Sequence, residues 1–153
     1  MLVLALAVSL AAAAQAPEVM TRSVLTDVCL PFVAGEDPQG PLDFLGFVGP
    51  GQGETRQLQT EDSAYIVRLS ASDGEASGDT RRTCVIVPRR GGMDAALSAV
   101  RRPLLDAGFV AETGLPADRP IWTRGGVTVS LRQNEGRSVV IRVSYSGLDA
   151  EAG

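Results

Sequence analysis

The chain has 153 residues, a net charge of −4 and 14 basic side chains, all of them arginine, with no lysine and no histidine. Without histidine there is no Ser-His-Asp or Cys-His catalysis and no histidine metal site; without lysine there is no Schiff base and no P-loop. The length suits one domain, and the acidic balance argues against general nucleic-acid binding.

Leu2 to Ala14 is an apolar run rich in Leu and Ala. Ala12-Ala13-Ala14 fits a signal-peptidase site, with cleavage after residue 14, or after 16 as the poorer choice because Pro17 would follow. A signal peptide over 1–14 (or 1–16) therefore predicts export, periplasmic or secreted, and the run is short for a membrane span. The expected domain covers 17–146. In residues 17–35, Val24, Leu25, Val28 and Phe32 share one helical face beside Cys29, with Thr21 or Ser23 as cap and Pro31 limiting its extent. Glu36 to Gly40 reads as a loop, and Pro41 to Phe47 suits a single helical turn. Gly49-Pro50-Gly51-Gln52-Gly53 lacks the preceding strand and following helix of a nucleotide loop.

Tyr65, Val67 and Leu69 alternate with Ala64, Ile66 and Arg68, a strand signal. A Ser/Asp/Gly/Ala loop over 70–80 leads to Cys84-Val85-Ile86-Val87, an apolar β-branched run closed by Pro88. Cys29 and Cys84 agree with export, and their pairing would pin the N-terminal segment to this strand. After the turn Pro88–Gly92, the period becomes helical: Met93, Leu97, Val100, Leu104 and Ala107 form one stripe. The stripe keeps its phase through Pro103, which predicts one kinked helix over 93–107. Gly108 and Phe109 form a helix stop. The segment 103–110 matches 41–48 at five of eight positions; a duplicated helix-to-strand corner would give this, and chance with a shared helix–Gly–aromatic stop, the preferred reading, accounts for it as well.

Val110 to Thr113 suits a short strand. Ile121–Arg124 and Val127–Arg132 flank a Gly125-Gly126 turn, with Val127, Val129 and Leu131 facing one way and Thr128, Ser130 and Arg132 the other. Val139, Ile141, Val143 and Tyr145 give the clearest alternation, and 147–153 reads as a disordered acidic tail. The predicted fold is α+β: an antiparallel sheet of about five to six strands, with the 93–107 helix and a short N-terminal helix packed on one face.

Arg89-Arg90-Gly91-Gly92 precede a helix start, and two guanidinium forks beside free N–H groups suit an anion; a solvated turn balancing the acidic 36–79 stretch is the plainer reading. Asp73, Glu75 and Asp79 miss the Ca²⁺-loop spacing. Glu61, Asp62, Glu112 and Asp118 supply carboxylates at predicted element ends, and Trp122 suits core packing or a sugar ring. No cofactor or metal is implied. The expected function is a non-catalytic domain of a bacterial envelope that binds an envelope protein or an anionic envelope component through a sheet face or the arginine-bearing turn. A carboxylate-dependent hydrolase of cell-wall or extracellular polymer, and a secreted inhibitor or immunity-type protein, are the alternatives.

Overall fold

The computed structural model describes residues 17–73 and 80–148. The expected signal peptide, the side chains of the Asp73, Glu75 and Asp79 set and residues 149–153 of the acidic tail lie outside this description. The chain is helical from its first described residue, Pro17. The helix α1 (Pro17–Ser23) runs through a π-helical turn (Val24–Cys29) into α2 (Leu30–Val33). In that turn the Leu30 N–H reaches back to the Leu25 carbonyl, just ahead of Pro31, which has no N–H to give. Thr21 and Ser23, expected as caps, therefore lie inside the helix, and Ser23 makes no side-chain cap bond. The widened turn carries Val24, Leu25, Val28 and Cys29, all fully buried.

A short helix α3 (Gln39–Phe44) leads to four strands: β1 (Phe47–Val48), β2 (Thr55–Thr60), β3 (Tyr65–Asp73) and β4 (Thr80–Pro88). Helix α4 (Gly92–Asp106) leads to four more: β5 (Val110–Ala111), β6 (Ile121–Arg124), β7 (Val127–Gln133) and β8 (Val139–Ser146). All are joined antiparallel in one 8-stranded sheet, ordered β1-β2-β3-β4-β8-β7-β6-β5. The expectation of five to six strands is corrected by β1 and β2. In β2 the inward positions are Arg56, Leu58 and Thr60, so only one of them is apolar and the usual alternation is hidden. Arg56 is buried because its guanidinium donates to the Gly51 carbonyl and to Gln39 Oε1, tying the glycine-rich connection to α3.

Helix α4 is a single helix containing Pro103, shifted by one residue at each end from the expected 93–107. It ends in a Schellman arrangement: Gly108 N–H donates to Leu105 O and Phe109 N–H to Leu104 O. Arg124 adds a bond to the Ala107 carbonyl and lies over the Phe109 ring, 4.7 Å from its centroid. At the other end Gly91 is left-handed (φ 89), and a Cβ there would stand 2.8 Å from the Ala95 Cβ and 3.2 Å from the Pro17 Cβ. Only glycine lets α1 and α4 approach this closely.

Alternation sends Leu58, Val67, Leu69, Cys84 and Ile86 inward from one half of the sheet, and Trp122, Val129, Leu131, Ile141 and Val143 from the other. They meet Val24, Leu25, Val28, Leu42, Val100 and Leu104 from the helices in one core. Cys29 and Cys84 form a disulfide with a Cα–Cα distance of 5.3 Å, fastening the N-terminal helix to the central strand β4. No helix among the described residues is long and apolar enough to cross a membrane. The disulfide is compatible with an exported protein.

The matching segments 41–48 and 103–110 occupy the same place in the two halves. Leu42 and Leu104 are fully buried, Gly46 and Gly108 are left-handed (φ 82 and 83), Phe47 and Phe109 are 4% exposed, and Val48 and Val110 are 68% and 69% exposed. Each half runs from helix to edge strand and then strand by strand to the centre, where β4 and β8 pair. The correspondence thus extends beyond a stop signal to the sheet order itself.

Candidate functional site

The turn after β4 borders a cleft of about 580 Å³, closed by Pro17 and Met20 of α1, Leu45, Tyr65 and Arg90. The β2–β3 turn forms its rim. There Ser63 is left-handed (φ 57), which aims Asp62 back along the turn. Asp62 Oδ1 accepts from the Ala64 N–H at 3.0 Å and from Thr60 Oγ1 at 2.8 Å, and Thr60 Oγ1 accepts from the Tyr65 N–H at 3.2 Å. These bonds, the Ala64 N–H foremost, hold the Asp62 carboxyl below its ordinary pKa, with Arg90 adding to the effect. Tyr65 is shifted the other way: burial raises its phenol above the ordinary value, opposed by the Arg90 charge.

Of the sequence candidates, Arg90 lines this cleft, while Arg89 is exposed and donates its backbone N–H to Ala64 O at 2.9 Å. Gly91 caps α4, and Gly92 is its first residue. The turn therefore offers one guanidinium to the cleft, and Glu61 and Asp62 face it on the same rim. Glu112 and Asp118 lie beside β5 and β6, across the sheet order from Glu61 and Asp62. Trp122 is buried in the core.

Tyr65 yields a direct check. Its neutral phenol is favoured by the fold, so its contribution to stability is fully present below the ordinary tyrosine range and is lost as pH rises through its raised value. Phenolate absorbance should show a late-titrating component that disappears in Tyr65→Phe. Identical titration curves for the two proteins would contradict this environment.

A second concave region lies on the face of the sheet opposite to α1–α4, which none of these helices covers. Outward positions align across strands because the register pairs them. One row joins Thr55, Ser70, Thr83, Ser144, Thr128 and Thr123. The adjacent row joins Gln57, Arg68, Val85, Arg142, Ser130 and Ile121. Arg132 pairs with Val140 one step further along. Arg68, Arg132 and Arg142 are exposed, and Arg68 Nε donates to Gln57 Oε1 at 2.8 Å, which holds its guanidinium extended over the face. A depression of about 300 Å³ follows the first row, lined by Arg81, Thr83, Thr128, Arg142, Ser144, Tyr145 and Ser146 and edged by Gly126 and Leu148. Among the described residues, no outward strand position carries a carboxylate or an aromatic ring.

Sequence reasoning found the outward set Thr128, Ser130 and Arg132 within one strand but not the rows, because rows depend on register between strands. The signal that points to them is polar side chains at every second position of consecutive strands. Comparison with protein-family models, curated proteins and solved structures finds no match.

Proposed function

We propose that this chain is a small exported, non-catalytic binding domain of a bacterial envelope, periplasmic or secreted, that takes an anionic partner on the uncovered face of its sheet. One observation carries the reading: in a protein of net charge −4, this face presents Arg68, Arg132 and Arg142 among hydroxyls, with no carboxylate among its described strand positions. Guanidinium groups set among hydroxyls are suited to carboxylate, sulfate or phosphate oxygens. The cleft at Arg90 suits an anion less well, since Asp62 stays ionised beside it.

Retention on a sulfonate cation exchanger at neutral pH and low salt tests the reading, because a net-negative protein binds such a resin only through a local basic face. The triple variant Arg68→Gln, Arg132→Gln, Arg142→Gln should lose retention, and Arg89→Gln, Arg90→Gln should keep it. The reverse pattern would move the anion contact to the turn. No retention of the unmodified protein would reject an anion-binding face.

A further inference from the structure

We infer that the partner of the uncovered face is a linear acidic polysaccharide lying across the strands along the hydroxyl row; this rests on the anion-binding reading above. The row Thr55–Ser70–Thr83–Ser144–Thr128–Thr123 crosses the strands from β2 to β6. At about 4.8 Å per strand it is about 24 Å long, room for roughly five sugars of an extended chain. Each hydroxyl both donates and accepts, which matches the alternating donors and acceptors of sugar hydroxyls.

The arginines set the charge spacing. Arg68 on β3 and Arg142 on β8 stand in one row with Val85 of β4 between them. They are two strand spacings apart, about 10 Å, close to the disaccharide repeat of an extended polysaccharide. A polymer with one carboxylate or sulfate in every second sugar would meet both forks while its neutral sugars run along the hydroxyls. Nucleic acid fits less well, because single strands are held by stacking bases on aromatic rings. The rings of Tyr65, Phe47, Phe109 and Trp122 are buried in the core, and among the described strand residues Tyr145 alone brings a ring to the depression, one where a stacking platform needs several.

Calorimetric titration with hyaluronan oligosaccharides, which carry a carboxylate on every second sugar, tests the inference. Inorganic polyphosphate, oligothymidylate and a neutral cello-oligosaccharide serve as comparisons. Affinity should rise with oligosaccharide length and level off at roughly the span of the row, about five to six sugars. Arg68→Gln and Arg142→Gln should each weaken binding about tenfold and flatten its salt dependence. Thr83→Val and Thr128→Val should weaken it about threefold with the salt dependence unchanged. Thermal unfolding of each variant establishes that it is folded. Tighter binding of polyphosphate or oligothymidylate at equal charge, or equal binding of the neutral oligosaccharide, would overturn the polysaccharide assignment. Binding of polyphosphate alone would do so while leaving an anion-binding face in place. No binding of any of these polymers, by a protein that the sulfonate resin still retains, would reject the polysaccharide alone; failure on the resin as well would reject both readings.

Discussion

Replacing both cysteines, Cys29→Ala with Cys84→Ala, should cost up to roughly 4 kcal/mol of stability, from the entropy released when a loop of about 55 residues is no longer closed. In a domain of this size that lowers the melting temperature on the order of 15 °C. Alanine is the right replacement because both sulfurs are fully buried, and a serine hydroxyl there would add the penalty of an unpartnered polar group. The physical basis is positional. Cys84 sits on β4, which pairs with β3 on one side and β8 on the other, so the bond anchors the N-terminal helix to the centre of the sheet. Calorimetry of the oxidised protein and the double variant checks this. Equal melting temperatures would mean that helix packing alone determines the N-terminal segment's position.

The second large effect separates the two faces of one strand. Ile141 is fully buried, opposite Ile86 on β4 and Leu131 on β7. Ile141→Ala should cost about 2–5 kcal/mol, through lost burial and the cavity left behind. Its neighbour Val140 points to the uncovered face, and Val140→Ala should cost below about 1 kcal/mol, since it empties no cavity. Denaturant titration of both variants measures the contrast. Similar losses at the two positions would mean that the outer face is covered in solution.

Where side-chain chemistry and periodicity agreed, the sequence was easily legible. Val139, Ile141 and Val143 alternate with polar or half-buried neighbours, and β8 follows; the α4 stripe through Pro103 held because Leu104 and Val100 still reach the core. Ala96 and Ala99 are also buried, small residues that a search for large apolar side chains passes over. Strand β2 was missed because Arg56 and Thr60 point inward, each satisfied by hydrogen bonds that no periodicity reveals. The arms of the β3–β4 hairpin run to Asp73 and from Thr80, into residues whose polar composition reads as loop. The candidate face was legible one strand at a time. Thr128 and Ser144 look like ordinary outward residues until register sets them side by side. The cleft at Arg90 depends on contacts between α1, the β2–β3 turn and the start of α4, which are distant in sequence.

Both margins of the sheet are two-residue strands, β1 and β5. A free margin is where a foreign peptide adds itself by main-chain hydrogen bonding, the route to β-augmentation and to runaway aggregation. Here β1 and β5 offer an incoming strand two residues each, and the stretch of β2 that β1 leaves unpaired adds only Thr55–Leu58, short ladders for a stable addition. The proposed recognition therefore works through side chains laid out on a surface, and not by borrowing a partner's backbone.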